Sequence, residues 1–240
     1  WKMMNGLPGL FAGMAVGVVI SVIVAFLVGL PTLRLKGDYL AIATLGVAEI
    51  IRVAVTNMKI TNGAAGISGV PLTNTWTITY IALVLTTILI LNYTFSSAGR
   101  ATYAVLQDEI AAESMGVQVT KYKILAFVLG AATASIGGTL SATTLGAVTP
   151  SDFTFMKSID VLIIVVFGGI GSFTGSFVAA VLLGIINLVL QPFGQLRMII
   201  YAVALILIMI FRPGGLLGTW EFKLGDFKFS KKKETKESGK

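Results

Sequence analysis

The chain has 240 residues, of which 55% are hydrophobic and 12% charged, with a mean hydropathy of +0.90. Soluble domains carry about 25% charged residues and disordered chains are poor in apolar ones, so both classes are excluded and a membrane protein remains. The formal net charge is +7, but residues 212–240 alone supply +4, so the basic excess is mainly a tail and no nucleic-acid partner is needed to explain it.

Residues 3–33 are uncharged and contain the apolar run 9–30. A secretory signal needs only about 7–15 apolar residues and a cleavage site, whereas crossing a bilayer core of about 30 Å takes roughly 20 helical residues. The run is read as a first span. Because the chain opens on Trp1 and not on Met, an N-terminal piece of the natural protein is expected to be absent. Arg34 and Lys36 make a basic turn before a second span at 38–55, which carries Glu49 and Arg52 three residues apart, close enough to pair on a helix. A lone charge in such a span costs at least about 2.5–3.5 kcal/mol. The segment TNGAAGISGVP (61–71) follows; Thr61, Asn62, Gly63, Gly66 and Gly69 allow tight turns and close approach of a partner.

After a third span at 76–95 comes the polar interval 96–123, SSAGRATYAVLQDEIAAESMGVQVTKYK, which is longer than a connection needs. Ala104, Asp108, Ala111, Ala112 and Met115 share one helical face, so one helix is expected through its middle. Gly116 is expected to end that helix in the left-handed conformation, and Thr120 to cap the next span, 124–145. The small apolar ridge flanked by Asp108, Glu109 and Glu113 suits docking into another protein's groove. The alternative is a helix lying on the lipid surface, although such helices usually carry Lys/Arg and large apolar residues.

Asp152, Lys157 and Asp160 fall in a further external loop. The uncharged stretch 161–196 would make a helix of roughly 54 Å, nearly twice the bilayer core, so it must turn back. Gly168, Gly169, Gly171 and Gly175 are the expected break, separating a short segment near 159–170 from a longer one near 174–190. Gly171-xxx-Gly175 and Gly13-xxx-Gly17 also fit the small-xxx-small pattern of close helix packing. A last span is read at 198–211. Residues 219–240 are expected to be a disordered, basic cytoplasmic tail, in which Lys231, Lys232 and Lys233 either mark topology or attract anionic membrane lipid.

Cytoplasmic loops are enriched in Lys and Arg. Placing Arg34 and Lys36, the interval holding Arg100, Lys121 and Lys123, and the tail all on that side requires an even number of crossings between 123 and 212. The result is an all-α membrane protein, a polytopic helical bundle of about seven crossings with glycine-broken segments. Its transmembrane domain is read over 1–218, with the first residue outside and the C-terminus in the cytoplasm. Without cysteine or histidine, thiolate nucleophiles, Cys/His zinc centres and Ser-His-Asp chemistry are excluded, and no metal-binding or catalytic residues are assigned. There is no G-x-x-x-x-G-K-[ST] phosphate loop. Uphill transport would need an ion gradient or another subunit's energy.

The core Ala111-Ala112-Glu113-Ser114-Met115-Gly116 resembles the coupling loop of permease subunits of bacterial ABC importers, with Ile110 standing where many such loops have Glu and Glu109 one place earlier. The longer stretches LRLKGDYLAIATLGVAEIIR (33–52), TNGAAGISGVP (61–71), GRATYAVLQDEIAAESMGV (99–117), PSDFTFMKSID (150–160), VVFGGIGSFTG (165–175) and FRPGGLLG (211–218) narrow the resemblance to the M-type subunit of the branched-chain amino-acid permeases. That family also includes permeases for urea and short amides. The resemblance implies a non-enzymatic subunit of the bacterial plasma membrane, paired with an H-type permease, two cytoplasmic ATPase subunits and an external solute-binding protein. It would bind no cofactor itself, ATP and Mg being held by the ATPases. Arg100, Asp108, Glu109, Ala111, Ala112, Glu113 and Gly116 would form the ATPase-coupling segment. Glu49 and Arg52 would either face the path, meeting an amino acid's ammonium and carboxylate, or form a structural pair. The 61–71 loop would either receive the binding protein or merely connect two spans. Two rival readings are a gradient-driven transporter or channel, which needs no docking helix, and a membrane scaffold, which leaves the charged pair and glycine breaks unexplained.

Overall fold

A computed structural model describes residues 6–190 except 36 and 170, together with Val203 and Ile206. Apart from Val203 and Ile206, the expected span at 198–211 lies outside the described residues, as does the tail at 219–240. In chain order the elements are α1 (Leu7–Thr32), α2 (Asp38–Asn57), β1 (Ile67–Ser68), α3 (Trp76–Phe95), α4 (Ser97–Gln107), α5 (Glu109–Ser114), α6 (Val119–Leu145), β2 (Ala147–Val148), α7 (Phe155–Gly168) and α8 (Phe173–Leu190). Five of these, α1, α2, α3, α6 and α8, are long and apolar enough to cross a membrane. The 14 residues of α7 reach only about 21 Å. The protein is therefore an all-α, multi-pass membrane protein.

Contacts divide the chain into two compact units, residues 1–155 and 156–240. In the first, α1 packs most extensively on α6. Small and hydroxyl side chains bring the two together: a Cβ on Gly17 would stand 3.1 Å from the Ser135 hydroxyl, one on Gly29 would stand 3.3 Å from the Phe127 ring, and Ser21 Oγ donates to the Ala131 carbonyl at 2.9 Å. As positions rise along α1 their partners fall along α6, so the helices run antiparallel. Gly17 of the Gly13-xxx-Gly17 pair thus lies against α6. Few side chains are buried, Leu10 and Thr143 most completely, and α2 and α3 have no buried residue at all. An apolar exterior on helices that satisfy their own backbone is what a bilayer solvent selects.

Two sets of loops mark opposite ends of this unit. At one end β1 pairs antiparallel with β2, Ile67 opposite Val148, joining the α2–α3 loop to the α6–α7 loop. Asn74 Nδ2 adds a 2.7 Å hydrogen bond to Thr144 Oγ1 there. At the other end, Leu33 and Leu40, which flank the α1–α2 turn, line one groove with Thr102, Val105 and Lys123 of the 96–123 interval. Both basic turns thus share an end.

The second unit holds α7 and α8, packed through Phe167, Ala179 and Leu183 with Ile163, Ile164 and Ile186 around them. Lys157 and Asp160, expected in a loop, instead lie in the first turns of α7, with Nζ 4.0 Å from Oδ2. The helix starts earlier than expected because charges spaced at i, i+3 are compatible with an exposed helical turn.

Candidate functional site

The 96–123 interval is two helices joined by a sharp elbow, and not one. Asp108 breaks the expected run through Ala104 and Met115: its backbone is extended (φ −156, ψ 113), and its carboxylate Oδ1 accepts from the backbone N–H groups of Ile110 at 2.8 Å and Ala111 at 3.1 Å. An aspartate that bonds the following turn in this way competes with helix continuation and starts a new helix instead. The residue expected on the face is therefore the N-cap of α5.

Gly116 ends α5 as expected, with φ +82. The Val117 N–H reaches the Ala112 carbonyl at 3.0 Å and the Gly116 N–H reaches that of Glu113 at 2.9 Å, the paired bonds of a Schellman turn. With the chain already turned, α6 begins at Val119 with Gln118 at its cap position and no side-chain cap bond. Thr120, expected as the cap, falls inside the helix.

Four contacts fix this segment to the spans. Glu109 accepts an ion-paired hydrogen bond from Lys123 Nζ, tying α5 to the base of α6; the lysine side chain is 19% exposed and the glutamate 39%. Arg100 Nη1 donates to the Phe95 carbonyl at 3.0 Å, capping the end of α3. Gly99 is buried in the α3–α4 elbow, where a Cβ would lie 2.2 Å from the Tyr93 carbonyl oxygen and 2.4 Å from that of Thr94. Ser96 Oγ accepts from the Gly99 N–H at 3.1 Å, and Tyr93 and Thr102 join their hydroxyls at 2.6 Å. Sequence reasoning assigned no site role to Ser96, Gly99, Tyr93, Thr102 or Lys123; the Ser-x-x-Gly spacing at 96–99 is the signal that could have found the elbow.

Ala112 is buried, whereas Ala111, Glu113 and Gly116 are exposed and Ile110 and Met115 are 78% and 84% exposed. A capped, ion-paired short helix therefore presents two large apolar side chains around Ala111. Glu113 and Gly116 also border a groove of about 1080 Å³ whose other walls include Phe26, Ile124 and Leu125. The result is a short capped ridge with exposed apolar side chains, and no set of reacting groups is assembled around it among the described residues.

Glu49 and Arg52 do pair. Arg52 Nε lies 2.9 and 3.1 Å from the two carboxylate oxygens, and Nη2 also donates to Oε1. Glu49 is about 17 Å along α2 from Asp38, at mid-span depth, and both side chains lie on a helix with no buried residue, the glutamate 52% exposed.

In the 61–71 loop, Thr61 Oγ1 donates at 2.7 Å to the Val55 carbonyl and Gly63 packs near Thr56, so these two finish α2. Gly66 (φ +71) lies against the other loop, where a Cβ would meet the Val148 carbonyl at 2.2 Å. Asn62, in left-handed conformation, and Gly69 are exposed at the surface. Asp152 folds back on the Thr149 N–H at 3.0 Å in a capping box.

The glycine break sits where expected. α7 ends at Gly168; Gly169 and Gly171 have positive φ, and a Cβ on Gly175 would stand 2.2 Å from the Gly168 carbonyl oxygen. The close pair is Gly168 with Gly175, whereas Gly171 serves the turn. Buried Ser172, not foreseen, accepts from the Gly175 N–H at 3.0 Å and caps α8, another Ser-x-x-Gly signal.

Residues 1–211 match the family described as branched-chain amino acid transport system / permease component. The chain is 36% identical to the high-affinity branched-chain amino acid transport system permease protein LivM of Salmonella typhimurium over 82% of its length and 55% of the relative's. The LivM of Escherichia coli is also 36% identical, over 80% of this chain and 53% of the relative. Its LivH is 30% identical over 60% of this chain and 46% of the relative. The chain thus spans about half the length of the LivM proteins it matches. No solved structure matches it. Coverage from residue 1 to residue 211 by one family description places the chain in the branched-chain amino acid transport permease family.

Proposed function

We propose that this chain is the M-type permease subunit of an ABC importer for branched-chain amino acids in the bacterial plasma membrane. The observation that supports this reading most is α5: a helix capped by Asp108, closed by Gly116 and tied to α6 by Glu109–Lys123, with Ile110 and Met115 exposed. Burial of such side chains in a cleft of an ATPase subunit is favourable by roughly 1.5–3 kcal/mol each, and the ion pair carries the resulting displacement into α6. ATP is hydrolysed by two separate subunits; an H-type permease completes the membrane unit and an external binding protein delivers the solute. The chain crosses the membrane seven times, with the β1–β2 end outside and α4 and α5 inside.

The test is co-expression with candidate ATPase, second permease and binding-protein subunits from the same genome. Co-purification of the ATPase, and ATP-dependent uptake of radiolabelled leucine into proteoliposomes, are expected. Uptake driven by an ion gradient without ATP, or preference for urea or a short amide over leucine, overturns the reading of energy source or cargo respectively.

A further inference from the structure

α3 and α6 touch only sparingly, and between them a cleft of about 440 Å³ runs from Asn74 to Thr86 on one side and from Leu145 to Thr133 on the other. That size is within the range of small-molecule sites, about 300–1,000 Å³. Ten positions along α3 separate Trp76 from Thr86, the farthest lining residue on that helix, so the cleft descends from the β1–β2 end about 15 Å, half the bilayer core. No charged residue is among the described residues that line it.

Its chemistry has two parts. Leu83, Ile136 and Leu140 supply an apolar wall. Thr86, Thr133 and Thr144 each donate their hydroxyl proton to a carbonyl of their own helix, to Ala82 at 2.8 Å, Leu129 at 3.1 Å and Leu140 at 2.8 Å. Among the described residues their remaining lone pairs meet no donor, apart from Asn74 Nδ2 at Thr144 Oγ1. A hydroxyl oxygen so used is an acceptor, suited to an ammonium group. Ser141, by contrast, makes no side-chain hydrogen bond among the described residues and keeps a free donor for a carboxylate. Polar groups at membrane depth that face a cavity mark solute pathways.

We propose that this α3–α6 cleft, on the permease reading above, holds the transported solute, with Ser141 meeting its carboxylate and the threonine acceptors its ammonium group. A zwitterion distributes its two groups over Ser141 and the threonine acceptors, whereas a solute of net charge meets no counter-ion among the described lining residues.

The chain has no cysteine, so single cysteines report cleanly. In the complete transporter with its binding protein, Ser141→Cys or Thr133→Cys is expected to react with a cationic, membrane-impermeant methanethiosulfonate. Leucine with ATP should slow that reaction at least fivefold, while lysine should not. Leu85→Cys, 61% exposed on α3 but outside the cleft, should be unreactive or indifferent to leucine. Gly137→Leu, placed where a Cβ meets open space, should lower leucine uptake at least tenfold with normal complex yield. Normal uptake by the unsubstituted complex with no leucine protection at either position overturns the cleft alone. Failure of that complex to take up any amino acid overturns the permease reading on which it rests.

Discussion

Glu109 and Lys123 are fourteen positions apart, on opposite sides of the Gly116 turn, and their ion pair fastens the short helix α5 to the first turns of α6. Both side chains keep some contact with solvent, so the pair adds no more than about 1 kcal/mol to stability; its consequence is positional. Lys123→Met or Glu109→Gln is expected to leave assembly and ATP hydrolysis near normal while lowering leucine uptake per ATP several-fold. The exchange Glu109→Lys with Lys123→Glu should recover most of the coupling. Unchanged coupling in both single variants would remove the strut from the mechanism.

Asp108 sets where α5 begins. Asp108→Ala removes the acceptor for two backbone N–H groups and is expected to weaken the helix by about 0.5–2 kcal/mol, whereas Asp108→Asn or Asp108→Ser retains most of it. Amide hydrogen exchange over 109–116 is the measurement. Faster exchange in the alanine variant alone is expected.

Gly116 has open space around its Cβ position but φ +82. A β-branched residue is therefore resisted by backbone conformation and not by a clash. Gly116→Val should distort the Schellman turn and uncouple ATP hydrolysis from uptake with membrane insertion intact. Unchanged uptake would count against the coupling assignment.

At Gly99 and Gly175 the opposite holds, because an added methyl meets a carbonyl oxygen at 2.2 Å. Gly99→Ala and Gly175→Ala are each expected to cost roughly 1–3 kcal/mol by overpacking, seen as a lower melting temperature of the purified protein. Gly138→Ala, which meets nothing within 4 Å, is the control.

The Glu49–Arg52 pair spends its charge on itself within one helix. Glu49→Gln leaves an unpaired guanidinium at membrane depth, at a cost of about 2.5–3.5 kcal/mol, and should reduce the yield of assembled protein. Joint replacement, Glu49→Leu with Arg52→Leu, should restore yield and keep uptake. Restored yield without uptake would instead assign the pair to the solute path.

The sequence by itself determined the class of this protein and most of its helices, because a bilayer demands long runs without charge and 9–30, 76–95 and 174–190 have them. It also located the Gly116 terminus and the glycine break, since both depend on local backbone freedom. The structure showed what Asp108 does: helical periodicity put it on a face, but its carboxylate accepts from the next turn's N–H groups, a local bond that outcompetes the periodicity and ends one helix to start another. It also decided which glycines touch, Gly168 with Gly175, and which loops meet, 67–68 with 147–148. The α3–α6 cleft was illegible for the same reason: Thr86, Thr133 and Ser141 look like isolated hydroxyls in apolar runs until two antiparallel helices diverge and set them around one space.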